Sequence, residues 1–234
     1  MNAPRVSRSR TLYFVKKIMI PISDSISLKG FPLINVLLIA FTSFVFLQEI
    51  TVPHPDAFIA KYSLIPSLIN FSNYSTLAPF VTAIFIHGGF LHIASNMLFL
   101  WVFGNNVEKY FGAILFLFIY FISGVIGNLT QYALMPSSTI PMLGASGAIA
   151  GILGTYFMLF PKAKIKTIIP IFFFFPIIEL PSTVMLGYWF FLQLFSGVSA
   201  LQNPNAAGIA FFAHIGGFAT GIILTILLRR YFKK

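Results

Sequence analysis

The sequence predicts an all-α polytopic membrane protein with six transmembrane helices and both termini in the cytoplasm. First, 58% of the 234 residues are hydrophobic and only 9% are charged, and a soluble domain cannot bury that much apolar surface. Second, polar and basic breaks divide the chain into six apolar segments. Third, nearly all lysines and arginines lie at the termini and in alternate connections between those segments.

A helix needs about 20 apolar residues to cross a bilayer core of roughly 30 Å. Segments of about this kind predict helices at residues 31–50, 91–107, 113–134, 146–160, 181–201 and 212–228. The fourth is short and carries Gly147, Gly151 and Gly154, which suits a helix surrounded by others, because small residues allow close backbone approach. The connection 51–85 contains four prolines, so it is too broken for one helix, yet it is apolar enough to lie in or on the membrane interface.

The predicted organisation is a basic cytoplasmic flank at residues 1–30, one helical domain at 31–229 and a basic tail at 230–234. The stretch from Arg5 to Lys17 resembles the start of a signal peptide, but no cleavage pattern follows. It is therefore interpreted as a flank with a retained first helix, with a mitochondrial presequence as the alternative. The chain has no cysteine, which excludes disulfides and thiolate catalysis.

Charge placement predicts the orientation of the helices. The net charge is +10, but the basic residues lie in short runs between apolar segments, so they indicate topology and no nucleic-acid partner is expected. Every Lys and Arg except Lys61 falls on one side of a six-helix arrangement, and the positive-inside rule makes that side cytoplasmic. The second, fourth and sixth helices therefore begin at the outer face.

Polar residues open each of these three helices, at 87–96, at Ser146 and at His214. His92 and Asn96 are four residues apart and share one helix face. Polar groups inside a membrane usually face the bundle interior or a water-filled cavity. Each alone has a structural interpretation, such as a helix cap or an interhelical hydrogen bond. Because all three polar stretches are expected at a similar depth in the membrane, together they predict a hydrolytic site.

The requirements of acyl transfer suggest a role for each of these residues. Ser146 is the expected nucleophile and His214 the base that removes its proton, with Gly147 and Gly217 allowing their helices to approach. The tetrahedral oxyanion needs preorganised donors. The residues assigned to the oxyanion and the substrate are Asn96, His92, Ser146 and Gly144.

Water is expected to enter around His87. Glu49 and Asp56 are the acidic residues expected on the outer side, and nothing in the sequence places either of them next to His214. A Ser146–His214 dyad is therefore expected, without an acidic third member. Zinc binding by His87, His92 and His214 is the weaker alternative, since no H-E-x-x-H or accompanying carboxylate is present. A transporter is a further alternative, but no inverted repeat is apparent.

Four motifs carry a family resemblance: residues 87–96, Gly144-Ala145-Ser146-Gly147, Ala213-His214-Ile215-Gly216-Gly217, and Gly104-x-x-x-Glu108-x-x-x-Gly112. Together they resemble the rhomboid intramembrane serine proteases over about residues 20–230. The resemblance implies a structural Glu108, an oxyanion hole lined by His92 and Asn96, a membrane-embedded first loop, and a fifth helix that gates substrate entry with the last loop.

The activity implied is cleavage of single-pass membrane proteins at a small residue near the outer end of their transmembrane helix, without cofactor or ATP. Transmembrane substrates and the bilayer are the expected partners, with the oligomeric state open. A non-proteolytic relative that binds membrane clients is the alternative. The lack of an extra N-terminal helix favours a prokaryotic plasma membrane, with the site towards the outer face.

Two positions depart from the family pattern. Ala150 stands four residues after the nucleophile, where well-studied members carry an aromatic ring that stacks on the base. Phe212 or another ring is expected to substitute. The first loop lacks a Trp-Arg pair found in many members, and Lys61 is its strongest base.

Overall fold

The computed structural model describes residues 19–171, 173–202 and 208–231. Most of the predicted basic flank (1–18), the end of the basic tail (232–234) and part of the predicted gating loop (203–207) lie outside these residues. The described part is mostly helical, and the helices fall at the six predicted positions.

The α-helices are α1 Leu33–Thr51, α2 Pro55–Tyr62, α3 Pro79–Thr82, α4 Phe90–Phe99, α5 Asn105–Phe111, α6 Ala113–Leu134, α7 Ser146–Leu159, α8 Ser182–Gln202 and α9 Phe211–Leu228. Short 3₁₀ turns occupy Pro66–Leu68, Tyr74–Thr76, Ala83–Phe85 and Arg229–Tyr231, and a π-helical segment, Leu100–Gly104, joins α4 to α5. The strands are β1 Ile20–Asp24, β2 Lys164–Ile168 and β3 Ile177–Pro181.

Within the described residues, α1, α6, α8 and α9 are long and apolar enough to cross a membrane. A fifth candidate is a pair, Tyr74–Phe85 followed by Phe90–Phe111, that bends by 77° at the break. α7 is apolar but has only 14 residues. The chain is thus a membrane helical bundle with four or five candidate spans and a shorter central helix.

α7 lies in the centre of the bundle, since all of residues 147–156 are buried. A helix that is buried all round must be covered by other helices, and here α6 and α9 pack closely against it. Glycines make this possible: a Cβ on Gly217 would overlap the Gly147 carbonyl, and one on Gly221 would overlap the Gly151 carbonyl. The backbones of α7 and α9 are therefore nearly in contact.

Glu108 ties α5 to the start of α1. Its two carboxylate oxygens accept hydrogen bonds from the backbone N–H groups of Ile34 and Asn35 at 3.0 and 2.6 Å. The first N–H groups of a helix lack intrahelical partners and favour negative charge. The Asn35 side chain donates to the Leu100 carbonyl at 2.9 Å, at the start of the π-helical segment.

A three-stranded antiparallel sheet, in the order β1-β2-β3, corrects the all-α prediction. β2 alternates exposed Lys164 and Lys166 with buried Ile165 and Thr167, which is the period-2 pattern of a half-buried strand. A hydropathy average over a window of helical length does not show this alternation, because the strand is much shorter than the window. Asp24, in β1, accepts from the Asn106 amide at 2.8 Å and from the Tyr156 hydroxyl, so the sheet is held against α5 and α7.

The connection 51–85 is broken into α2, α3 and 3₁₀ turns, as its prolines predict. It is fixed to the segment before α7 by two backbone hydrogen bonds between Leu64 and Met142, at 2.9 and 2.8 Å. Leu64 is fully buried in a small cluster with Phe80 and Ala213. The connection thereby borders the ends of α7 and α9.

Candidate active site

Ser146 is the first residue of α7 and follows a turn that requires glycine. Gly144 has φ +117°, and a Cβ there would lie 2.7 Å from His92 Nε2. An L side chain is disfavoured at this φ, and the space is already taken by the imidazole. The Gly144 N–H donates to the Ala83 carbonyl at 2.9 Å. The turn therefore presents Ser146 at a fixed position beside α4.

His214 lies one turn into α9, and its Nε2 is 2.8 Å from Ser146 Oγ. Small residues bring the two helices this close, since a Cβ on Gly217 would overlap the Gly147 carbonyl oxygen. The start of α9 is held by Gln131 on α6, whose Oε1 accepts the Phe212 N–H at 2.9 Å. The structure thus places both residues of the predicted dyad in hydrogen-bond contact.

Gln193 on α8 provides a third polar partner that the sequence analysis did not find. Its Oε1 lies 2.8 Å from His214 Nδ1. An amide oxygen only accepts, so Nδ1 carries the ring proton and Nε2 is left to accept from Ser146. An uncharged amide side chain in the middle of an apolar helix is the signal that would have found it, because such residues usually face a polar site.

Two aromatic rings lie beside the base. Trp189 on α8 lies 5.9 Å from the His214 ring, at an interplanar angle of 33°, and Phe211 on α9 lies 6.5 Å from it, edge-on. Ala150 is fully buried, and its Cβ would lie 3.4 Å from a Cβ on Gly217, so the position expected to be aromatic serves the close packing of α7 and α9. The Phe212 ring, the candidate named above, instead lies against Gly197.

His92 and Asn96 both face the turn before Ser146. Asn96 is 6% exposed, and its Nδ2 finds no hydrogen-bond partner among the described residues. The Gly88 N–H donates to His92 Nδ1 at 3.4 Å, which leaves the ring proton on Nε2, the atom nearest Gly144. The Asn96 Nδ2 and His92 Nε2 donors therefore both lie beside the turn that carries Ser146.

His87, in the region where water is expected to enter, is itself fully buried. Its Nδ1 lies 3.2 Å from the Phe85 carbonyl and its Nε2 accepts from the Ala145 N–H at 3.5 Å. Its backbone N–H donates to the buried Glu49 carboxylate at 3.0 Å. Glu49, which was set aside above because it could not reach His214, thus supports the turn that carries Ser146 through His87.

Ser146, His214, His92 and Asn96 all line one cavity of about 570 Å³. Its polar lining includes Ser146, His214, His92, Asn96, Gln131 and Ser138. Its apolar lining includes Ile59, Phe99, Met142, Ile149, Leu153 and Trp189. Ile59, from α2, shows that the 51–85 connection reaches the cavity. In residues 19–171, 173–202 and 208–231, no group of three or more His, Cys, Asp or Glu is arranged to hold a metal ion.

A family model described as Rhomboid domain matches residues 74–231, more than half of the chain. "Rhomboid protein 1, mitochondrial" of Saccharomyces cerevisiae is 34% identical over 179 residues, which cover 71% of this chain and 45% of that protein. "Rhomboid-like protein 11, chloroplastic" of Arabidopsis thaliana is 28% identical over 169 residues, covering 71% of this chain and 58% of that protein. "Rhomboid protease GluP" of Bacillus subtilis is 42% identical over 74 residues, covering 32% of this chain and 14% of that protein.

The chain spans about half the length of the first two relatives, at 45% and 58%. Their names place them in mitochondria and chloroplasts, so the comparisons give no support for the prokaryotic plasma membrane expected above. The matched region contains all the cavity-lining motifs and the candidate spans from the bent pair to α9. On this evidence the chain belongs to the rhomboid family of integral, multi-pass membrane proteins.

Proposed function

We propose that this chain is an intramembrane serine endopeptidase. It hydrolyses peptide bonds near the outer end of the transmembrane segment of single-pass membrane proteins, with Ser146 as nucleophile and His214 as base. The observation that carries the proposal is the 2.8 Å contact between Ser146 Oγ and His214 Nε2, in one cavity with Asn96 and His92.

The arrangement supports a two-step reaction. His214 Nε2 removes the proton of Ser146 as Oγ attacks the carbonyl carbon of the scissile bond. The tetrahedral intermediate collapses when His214 returns that proton to the leaving amine, which breaks the C–N bond and leaves an acyl ester on Ser146. A water molecule, deprotonated by the same ring, then hydrolyses the ester and restores the serine.

The oxyanion formed in each step is assigned to three donors. These are the Ser146 backbone N–H, Asn96 Nδ2 and His92 Nε2. Preorganised donors stabilise charge that develops only in the transition state, and loss of one typically lowers turnover about 100- to 1,000-fold. The unpaired amide of Asn96 supports this role, because a buried donor is rarely left without a partner.

We assign the molecule six membrane spans. Four are the long helices α1, α6, α8 and α9; the fifth is the segment from α4 to α5, and the sixth is the short α7. The N-terminal ends of α4, α7 and α9 meet at the cavity, whereas Lys109, Lys162 and Arg229 lie at or just beyond the opposite ends. The positive-inside rule then places both termini in the cytoplasm and the cavity towards the outer face. The lipid bilayer and transmembrane substrates are the partners of this arrangement.

The test is cleavage of a model single-span protein by the purified chain in liposomes, together with labelling by a fluorophosphonate probe. We expect labelling at Ser146, and we expect Ser146→Ala and His214→Ala to abolish cleavage. Ser199→Ala is the matched control, since this exposed serine on α8 bonds only the Phe195 carbonyl of its own helix, at 3.0 Å.

Equal cleavage by Ser146→Ala would rule out the mechanism. A wild-type protein that binds the single-span protein but neither cleaves it nor reacts with the probe would instead be a non-proteolytic member of the family.

A further inference from the structure

Gln193 is half-buried in α8 with both ends of its amide engaged. Its Oε1 lies 2.8 Å from His214 Nδ1, and its Nε2 donates to the Trp189 carbonyl one turn earlier at 3.3 Å. A carbonyl only accepts, so the amide cannot be turned over without losing that bond. The orientation that places the oxygen on His214 is therefore fixed within α8 itself.

This contact selects the tautomer that a general base needs. With its proton on Nδ1, the imidazole presents the Nε2 lone pair to the Ser146 hydroxyl at 2.8 Å. When the ring accepts the serine proton, it becomes an imidazolium and the Nδ1–H bond to Gln193 becomes charge-assisted, and hence stronger. The amide thus favours the protonated ring that forms during the reaction without adding a buried negative charge.

Trp189 and Gln193 are four residues apart and lie on one face of α8. The Trp189 ring packs 5.9 Å from the His214 ring and 6.0 Å from Phe218, one turn further along α9. Phe190 stacks on Phe218 at 4.6 Å. All these contacts join α8 to α9, so the orientation of the base depends on α8 lying against α9.

We infer that Gln193 is a positioning residue that orients His214, and that Ser146 is activated only while α8 is packed on α9. The inference rests on the proposed function, because it concerns the same nucleophile and base. It extends the Ser146–His214 pair to a Ser146–His214–Gln193 array and gives a helix other than α7 and α9 a part in the chemistry.

Gln193→Met is the decisive variant, because it keeps the length of the side chain and removes the acceptor. We expect the rate of fluorophosphonate labelling and kcat for a single-span substrate to fall about 10- to 100-fold, less than the ~10⁴-fold loss when a triad carboxylate is replaced. KM is expected to stay unchanged, since Gln193 acts through His214. Gln48→Met, the same change at an exposed glutamine of α1, is the control and is expected to behave as wild type.

Nitrogen NMR of the imidazole gives a readout that is independent of activity. The chain has four histidines, and the signal of His214 is identified by its loss in His214→Ala. We expect wild type to show the Nδ1–H tautomer and Gln193→Met to show a mixture of both tautomers. Gln193→Glu, which keeps an acceptor, is expected to retain the Nδ1–H signal and to label faster than the methionine variant.

Wild-type labelling or an unchanged tautomer in Gln193→Met would overturn the inference while leaving the proposed protease intact. A rise in KM with unchanged kcat would also overturn it, because Gln193 would then act on the substrate. Should the methionine variant fail to fold, loss of the Nδ1–H signal in Gln193→Glu would be the contrary result. A wild-type protein that neither labels nor cleaves would remove the proposed function and this inference with it.

Discussion

Asn96 is a buried residue with an unsatisfied donor beside the nucleophile. A buried donor without a partner costs about 1–3 kcal/mol, and Asn96 Nδ2 is buried with no partner among the described residues. It would lie 3.7 Å from a Cβ on Gly144, in the turn that carries Ser146. Asn128 in α6 is the natural comparison, because its buried amide donates to the Phe80 carbonyl at 2.9 Å.

Asn96→Ala is expected to lower turnover about 100- to 1,000-fold without lowering the midpoint of thermal unfolding. The alanine removes an oxyanion donor but breaks no existing hydrogen bond. Asn128→Ala should do the reverse, with turnover nearly unchanged and a stability loss of about 1–3 kcal/mol. Cleavage assays and thermal unfolding in detergent measure both. Full activity in Asn96→Ala would remove this residue from the oxyanion hole.

The polar residues at helix starts are predictable from the sequence, whereas those whose contacts depend on helix rotation are not. His92, Asn96, Ser146 and His214 lie in short patterns whose spacing and depth are readable along the chain. Gln193 contacts His214 because α8 is rotated to turn one face towards α9. Glu49 accepts its hydrogen bond from the His87 backbone, which no pattern of side chains reveals.

At the scale of elements, the α7–α9 interface determines the separation of the two reacting groups. A Cβ on Gly217 would overlap the Gly147 carbonyl, one residue beyond Ser146. By contrast, no described heavy atom lies within 4 Å of a Cβ placed on Gly187 in α8. Gly217 and Gly187 can therefore be compared directly, because packing requires a glycine at position 217 but not at position 187.

Gly217→Ala is expected to abolish cleavage and to lower stability by about 1–3 kcal/mol, as overpacking does. The added methyl group forces α9 away from α7 and separates His214 from Ser146. Gly187→Ala should keep full activity and gain up to about 1 kcal/mol from helix propensity. Probe labelling and thermal unfolding report both effects. An active Gly217→Ala with an unchanged unfolding midpoint would show that the interface tolerates more space than its contacts indicate.

The helices were predictable because hydropathy and length determine them. α6 matches the predicted 113–134, and the other helices at the predicted positions begin within about two residues of their expected starts. The sheet was not predictable in the same way, because β2 has only 5 residues and pairs with β1, which precedes α1, and with β3, which precedes α8. The π-helical segment at Leu100–Gly104 likewise leaves no mark in the apolar pattern.

At the scale of the whole molecule, α8 differs from α7 in being largely exposed. Phe191, Leu194, Phe195 and Val198 all present large apolar side chains outward. On the proposed function, a substrate helix must pass between helices to reach the cavity, and the family resemblance implies that it passes at α8. The same helix carries Gln193, so we expect substrate entry and the activation of Ser146 to compete for the position of α8.

A disulfide between α8 and α9 tests this competition in a chain that has no cysteine of its own. A Cβ on Gly197 would lie 3.5 Å from the Phe211 Cβ, within the usual range for a disulfide. In Gly197→Cys/Phe211→Cys we expect the oxidised protein to react with the small probe but to cleave a single-span substrate more slowly. A reductant should restore cleavage, and each single variant is the control. Equal cleavage in both redox states would show that substrate enters without separating α8 from α9 here.

The 14-residue length of α7 has a consequence for the depth of the site. At 1.5 Å per residue, such a helix rises only about 21 Å, whereas a bilayer core is roughly 30 Å thick. α7 is covered by other helices, so its short length does not have to match the thickness of the surrounding lipid. On the proposed orientation, Ser146 lies below the outer boundary of the acyl chains. On the proposed function, the peptide bond that is cut must therefore reach this depth inside the protein.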